Sequence, residues 1–423
     1  MMKQCYLGKK GYTIFKSELN KEEEQKILKD LTVKPFIPKS IIPATKFPVY
    51  RESTKKYYVP RFYGIEKYGN PKRVEISTGD KININFKGKL RDYQDNIVDK
   101  YVKYVDEIGG GLLEIDTGLG KTVIALNILT KIKVKALIIV HKEFLMNQWI
   151  ERIEQFIPEA RVGKIQGSKI DIEDKDIVIG MLQSISMKDY DTDVFNSFGI
   201  TVIDEVHHMG AEVFSQALYK VVTRYMLGLS ATMDRKDGLT PVFKMFIGPI
   251  VHTEKRKQEN NNVIVRRIDY KVDDEEFNEV KHNFRGDVCY SSMIGKLCTY
   301  NRRSEFIIKL IKSLFKENKN QQILILGHNK NLLTYLYDSL THHKVETVGY
   351  YLGGMKQEHL KMSEEKKIII ATYQMASEGL DIKSLTTLLM VTPKSDVIQC
   401  VGRILRSKHE NPMVIDIVDQ HDI

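Results

Sequence analysis

At 423 residues the chain exceeds one typical core, which points to two or three domains. With 42% hydrophobic and 28% charged residues it reads as a soluble globular protein, and an intracellular place is expected from its cysteine usage. No apolar run approaches the ~20 residues that span a bilayer, and the N-terminus lacks the apolar stretch of a secretory signal. Four scattered cysteines fit a reducing compartment, and His282, Cys289 and Cys298 lack a fourth zinc ligand at suitable spacing.

The net charge is +10, and residues 1–80 hold 17 Lys+Arg against 9 Asp+Glu. That local excess suits a polyanionic partner, or equally a solvated basic face. Residues 1–88 also hold six of the eleven prolines, and those in "KPFIPKSIIPATKFPVY" exclude long helices there. "KEEEQKILKDL" (21–31) is the one expected helix; the remainder reads as short strands and turns bearing Lys, Arg and aromatics. Such a segment suits stacking on bases or gripping phosphates, and a small aromatic core accounts for the same residues.

From about residue 89 the pattern changes. The apolar runs "GLLEI" (111–115), "ALIIV" (136–140), "DIVIG" (176–180) and "ITVIDE" (200–205) alternate with amphipathic stretches such as "KTVIALNILTKI" and "KEFLMNQWIERIEQF". Alternation of this kind predicts a doubly wound parallel α/β lobe. "HTEKRKQENNNVIVRR" (252–267) reads as a linker or surface excursion. Beyond it, "RRSEFIIKLIKSLF" (302–315) has helical periodicity, and "QILILGHN", "KKIIIATYQ", "TTLLMVTP" and "MVIDIVDQ" supply a second set of buried strands. The expected organisation is a basic N-terminal module at 1–88, a first lobe at 89–252, a linker or insertion at 253–300 and a second lobe at 301–423.

"IDTGLGKT" (115–122) follows a strand and opens a helix, as a phosphate-binding loop must, but Ile115 stands where G-x-x-x-x-G-K-[ST] has its first glycine. Gly118 and Gly120 would let backbone approach phosphates, Lys121 would neutralise their charge and Thr122 would coordinate magnesium. "TVIDEVHH" places Asp204 and Glu205 at the tip of an apolar run, where open α/β sheets site their ligands. Asp204 is assigned to the magnesium shell and Glu205 to activating the attacking water.

"TGLGKT" (117–122), "DEVH" (204–207), "SAT" (230–232) and "QCVGRILR" (399–406) stand in the order and spacing of the superfamily-2 helicase motifs. The chain resembles a DExH-type member of that superfamily. The resemblance implies two tandem RecA-like lobes and ATP with Mg2+ as cofactors. It implies ATP contacts from Thr117, Gly118, Leu119, Gly120, Lys121 and Thr122, and from Gln94 and Arg91 of "LRDYQ", with Gly379 and Asp381 of "ATYQMASEGLDI" facing the nucleotide. Gln399, Arg403 and Arg406 complete the catalytic set, the two arginines lying three apart on one helix face as arginine fingers. His207, Ser230 and Thr232 would relay nucleotide state. Lys142 and Gln148 of "LIIVHKEFLMNQW", Gln183 and Ser184 of "GMLQSI", and Thr372 would touch nucleic-acid backbone.

"LGLSATMDRKDG" and "IDIVDQH" resemble the branch holding the translocase subunit of the general transcription and repair factor. "FPVYRES" with "YYVPRFYG" resembles helicases of large DNA viruses, related to the poxvirus-type transcript-release helicase. The expectation is a monomeric motor on nucleic acid, double-stranded DNA favoured, with RNA or a DNA–RNA hybrid also admitted because motors grip backbone. Transcription or repair proteins are its expected partners. A virion or a cytoplasmic replication factory is its place if viral. A transcript-release ATPase is the alternative within the class, and a non-catalytic nucleic-acid scaffold the alternative outside it.

Overall fold

The structure is a computed structural model. It describes residues 4–36, 44–233, 235, 237–256, 263–378, 380, 382–395, 397, 400–402 and 411–420. The chain divides into two compact units, residues 1–256 and 257–423.

The first unit opens with β1 (Cys5–Gly8), β2 (Gly11–Phe15), α1 (Lys21–Asp30), the short pair β3 (Thr32–Val33) and β4 (Phe47–Pro48), β5 (Arg51–Glu52), β6 (Lys56–Val59), α2 (Arg61–Tyr68) and β7 (Arg73–Val74). Helix α1 is the one expected from the sequence. It starts at a reciprocal cap in which Glu23 N donates to Asn20 and Asn20 N donates to Glu23. Five strands form a sheet in the order β5-β6-β2-β1-β7. Its inner residues, including Tyr12, Ile14, Tyr57 and Val59, join one hydrophobic cluster with Leu112, Leu137, Leu218 and Phe246 of the α/β lobe. The basic segment and the lobe thus share a core, because the sheet has one apolar face and must bury it against something.

The lobe contains α3 (Asp92–Ile108), β8 (Gly110–Ile115), α4 (Lys121–Ile132), β9 (Ala136–Val140), α5 (Glu143–Phe156), β10 (Val162–Gln166), β11 (Lys169–Asp171), β12 (Ile177–Met181), α6 (Leu182–Met187), β13 (Ile200–Ile203), α7 (Ala211–Leu218), β14 (Tyr225–Ser230), α8 (Thr240–Ile247) and β15 (Ile250–Glu254). Its eight-stranded sheet runs β11-β10-β12-β9-β13-β14-β8-β15, parallel except at β11. Strands buried on both faces explain the uninterrupted apolar runs. Ile115, the residue that breaks the strict loop pattern, is fully buried in this core.

The second unit holds β16 (Ile264–Tyr270), α9 (Glu275–Asn278), α10 (Tyr290–Thr299), α11 (Asn301–Glu317), β17 (Ile323–Gly327), α12 (Lys330–His342), β18 (Val348–Tyr351), α13 (Gln357–Glu364), β19 (Ile368–Thr372), α14 (Tyr373–Glu378), β20 (Thr387–Met390) and β21 (Met413–Asp419). Its sheet is wholly parallel, in the order β16-β21-β20-β17-β19-β18. Much of the segment expected as a linker at 253–300 is therefore built into a lobe: β16 pairs with β21 over seven residues. The sequence hid this because an edge strand keeps one face in water and lacks a continuous apolar run. Arg303 on α11 is fully buried; it donates to both oxygens of Asp419 (2.5 and 2.8 Å) and to the Val391 carbonyl (3.0 Å), tying α11 to two strand ends. Among the described residues no helix is long and apolar enough to cross a membrane.

Candidate nucleotide and nucleic-acid site

Sheet order decides which motifs meet. In β12-β9-β13-β14-β8, five adjacent parallel strands end on one edge. From that edge emerge Gln183 and Ser184 after β12, His141 and Lys142 after β9, Asp204 and Glu205 after β13, Ser230 at the end of β14, and the glycine loop after β8. Segments up to about 110 residues apart are thereby neighbours.

The glycine loop turns twice through left-handed backbone, with φ of 86° at Gly118 and 87° at Gly120. A side chain at Gly120 would also strike Gln94, since a Cβ there would lie 2.5 Å from its Nε2. Gln94 holds the loop from behind: its amide nitrogen donates to the Leu119 carbonyl (3.0 Å) and its oxygen accepts from Arg91 N (3.0 Å). Tyr93 OH donates to the same carbonyl (2.9 Å), and Arg91 donates to Tyr93 OH (3.2 Å). Thr117 precedes Gly118, and Thr122 lies in the first turn of α4, whose N-terminal amides and dipole favour an anion.

Lys121 Nζ lies 2.8 Å from Glu205 Oε1. Glu205 has left-handed backbone, φ 49° and ψ 52°, uncommon for a residue with a side chain. Its other oxygen, Oε2, is buried and accepts no hydrogen bond among the described residues. Asp204 accepts from Trp149 Nε1 at Oδ2 (2.9 Å) and from Glu205 N at Oδ1 (2.9 Å).

Burial pushes the Asp204 carboxyl above the usual range, and the adjacent Glu205 charge adds to this. Burial acts upward on Glu205 as well, but the Lys121 ammonium outweighs it with help from His207, and Glu205 stays below the usual range. Burial and the neighbouring charge thus raise one acid, while the ammonium in contact with the other holds it down.

His207 Nδ1 lies 2.7 Å from Ser230 Oγ and 3.4 Å from Glu205 Oε2. Ser230 donates its only proton to the Thr232 carbonyl, so His207 Nδ1 is the donor to Ser230. Burial lowers His207 to about 4, and it is neutral at pH 7. Arg235 closes the arrangement by donating to the His207 carbonyl and to the Met209 carbonyl (2.8 Å).

On the same edge, Gln183 donates to the His141 carbonyl (3.1 Å), Ser184 Oγ accepts from Gly167 N (2.8 Å), Lys142 precedes α5, and Gln148 is half-buried on it. Thr372, at the end of β19 in the other unit, accepts from Met375 N (3.4 Å). Gly379, Asp381, Gln399, Arg403 and Arg406 lie outside the described residues. Sequence reading passed over Trp149 and Arg235. The single tryptophan of the chain, Trp149, closes "LIIVHKEFLMNQW" but its spacing reads as core, and Arg235 follows "SATMD" directly.

A glycine loop that opens a helix, paired acids two strands away on the same sheet edge, and a second parallel α/β unit downstream are the parts of a P-loop nucleoside triphosphatase of the two-lobed class. The family model described as "Type III restriction enzyme, res subunit" matches residues 87–235, and that described as "Helicase conserved C-terminal domain" matches 303–408. A protein of Acanthamoeba polyphaga mimivirus, provisionally named an ATP-dependent RNA helicase, is 38% identical over 422 residues, covering 97% of this chain and 80% of its own. One from African swine fever virus (isolate Pig/Kenya/KEN-50/1950), similarly named, is 28% identical over 363 residues, covering 79% of this chain and 69% of its own. A fragment structure provisionally named as the HsdR subunit of a type I restriction enzyme from Vibrio vulnificus shares the fold, with TM-score 0.55 and 16% identity, covering 78% of this chain and 64% of that one.

The chain belongs to the superfamily-2 helicases and resembles those of large DNA viruses. It is a nucleic-acid-dependent ATPase, which sets aside the non-catalytic scaffold.

Proposed function

We propose that the chain is an ATP-driven translocase acting on double-stranded DNA, with hydrolysis centred on the Lys121–Glu205 pair. The 2.8 Å contact between them carries the reading, because it joins the glycine loop to the acid pair in one site. The donors suit ATP with Mg2+: left-handed glycines, a helix N-terminus, an ammonium, and a buried carboxylate oxygen with no donor of its own. Thr122 and Asp204 would hold the ion, which supplies charge neutralisation at the phosphates. Gly118, Leu119 and Gly120 would cradle phosphate oxygens through backbone N–H, and Lys121 would balance their charge. Glu205, ionised, would take the proton of the attacking water. The His207–Ser230–Thr232 chain would carry the state of Glu205 along the sheet edge towards Lys142, Gln148, Gln183 and Ser184, which with Thr372 would grip a strand's backbone. Gln399, Arg403 and Arg406 would supply the guanidinium charge that developing phosphate charge requires, with Gly379 and Asp381 beside the nucleotide.

A second reading has RNA as the track and transcript release as the task. The names of the mimivirus and African swine fever virus relatives favour RNA as the track. If the chain is viral, a virion or a cytoplasmic replication factory is the place proposed for either activity. ATPase rates with single- and double-stranded DNA and RNA, beside strand displacement on tailed duplexes, decide between the two. Lys121→Ala and Glu205→Gln each abolish nucleic-acid-stimulated hydrolysis, the latter keeping ATP binding; normal turnover in either variant sinks the site assignment.

A further inference from the structure

The N-terminal sheet buries one face in the shared core, and its other face is open around Tyr6, Phe15, Lys56 and Arg73, while on β5 and β6 Arg51 lies over the Tyr219 ring and Tyr58 packs against the core cluster. Cross-strand pairing lines up Arg73, Tyr6, Thr13, Tyr58 and Arg51 across all five strands, with Phe15 opposite Lys56 one step along. Thr13 is buried, while Tyr6, Phe15, Lys56 and Tyr58 are half-exposed and Arg73 is exposed.

The outward residues form a connected group. The Tyr6 and Phe15 ring centres are 6.1 Å apart. Lys56 Nζ lies 5.1 Å from the Tyr6 centre, 4.9 Å from that of Phe15 and 2.9 Å from Tyr6 OH. The Arg73 guanidinium lies 5.5 Å from the Tyr6 ring, and Lys10 5.3 Å from that of Tyr58. Gly8, next on the same face, makes room: a Cβ there would come within 2.9 Å of the Tyr6 ring. The ring therefore lies along the strand.

We propose that this face is a stacking platform for an unpaired nucleic-acid strand, bases on Tyr6 and Phe15 and phosphates on Lys56, Arg73 and Lys10. The proposal rests on the nucleic-acid motor reading above. Two rings about one nucleotide step apart on a rigid sheet, interleaved with cations, meet what a single strand presents, a π-face and a charge per residue. A duplex hides its base faces, so it offers this platform its phosphate charge but no π-face to stack on. The excess of Lys and Arg in residues 1–80 matches a polyanion.

The test uses the full chain and labelled strands of about 16 nucleotides, oligo-dT and oligo-U, beside a blunt duplex and an abasic strand of the same length. Tyr6→Leu with Phe15→Leu weakens oligo-dT and oligo-U binding about 10- to 100-fold and leaves the duplex within about twofold. Tyr6→Phe binds as wild type, and wild type binds the abasic strand as weakly as the double variant binds oligo-dT. Lys56→Gln and Arg73→Gln each reduce the salt slope on unpaired strands by about one. The relative loss on oligo-dT and oligo-U tells a deoxyribose strand from a ribose one. Equal affinity for the abasic and base-bearing strands in wild type overturns the platform, and so does an equal loss on strand and duplex in the double variant. Wild-type ATPase stimulation by duplex is read in parallel, so failure of the platform is distinguishable from failure of the motor reading.

Discussion

Asp204 is held from two sides, by an indole N–H and by the backbone N–H of its own neighbour, and the indole comes from α5, the helix that Lys142 precedes. Trp149 is 1% exposed, so its nitrogen has no water to turn to and the bond fixes the carboxylate's orientation. Trp149→Phe keeps an aromatic in the core and removes the donor. The half-saturating Mg2+ concentration for ATP hydrolysis rises about tenfold, the equivalent of roughly 1.4 kcal/mol, with the far-ultraviolet dichroism unchanged; an unaltered Mg2+ dependence counts against the indole as a positioning group. His207 makes a second prediction. Its folded value is about 4 against an ordinary 6.5, so the unfolded chain takes up a proton that the native site refuses. Its contribution is complete above pH 6.5 and is lost as pH falls towards 4. At pH 5 the wild type forfeits about 2 kcal/mol relative to pH 7.5, and His207→Asn does not, as urea midpoints followed by Trp149 fluorescence will show. Lys121, Glu205, His207 and Ser230 were legible in the sequence because each sits in a short motif with a chemical reason for its place. Trp149 was not: at i+4 from Leu145 and i−4 from Ile153 it reads as one more apolar side chain, and its partner is 55 residues away.

At the scale of elements, the strands of both lobes were legible because parallel strands buried on both faces are continuous apolar runs bounded by turns. Their order was not, since nothing in a run of valine and isoleucine says which run lies beside it. The edge strand β16 shows the converse, being well paired but half exposed along its length. The N-terminal segment was legible as short strands with helix α1, but the second helix, α2, was not expected, and neither was the attachment to the lobe, which combines the shared hydrophobic cluster with a buried arginine whose partners are distant in sequence. Arg61, on α2, donates to the carbonyls of Ile108 and Gly109 at the end of α3 (3.2 and 3.3 Å) and of Arg224 before β14 (2.9 Å). Burial lowers this guanidinium to about 10, so what keeps its charge tolerable is the negative end of a helix and three oxygens. Gly109 makes the approach possible: at φ 88° it ends α3, and a Cβ there would lie 2.0 Å from an Arg61 nitrogen. Arg61→Leu removes the charged donor that these three carbonyls share. The Trp149-reported unfolding midpoint falls by the equivalent of about 2–3 kcal/mol, and protease cleaves within residues 1–88 sooner than in wild type. Equal cleavage rates would mean that the shared hydrophobic cluster alone holds the segment.

For the molecule as a whole, the division into two units has a chemical consequence. Residues 1–256 contain the glycine loop, both acids, the His207–Ser230–Thr232 chain and the basic sheet, and they close their own hydrophobic clusters. Residues 257–423 have a separate core and a separate buried ion pair, Arg303 with Asp419. A sheet complete at β15 with its helices on both faces satisfies the conditions for independent folding. A fragment of residues 1–256 is therefore expected to fold, with Trp149 emission as blue as in the full chain because its indole stays buried. The catalytic expectation points the other way, since the segment bearing Gln399, Arg403 and Arg406 belongs to the second unit's chain. Arginine fingers contribute about 10³ or more to turnover, so the fragment binds ATP through Lys121 while its nucleic-acid-stimulated hydrolysis falls by at least that factor. Arg403→Ala in the full chain gives a loss of similar size without unfolding either unit. A folded fragment that still turned over at the full-chain rate would leave the second unit with no part in the chemistry, and would confine its role to gripping the strand.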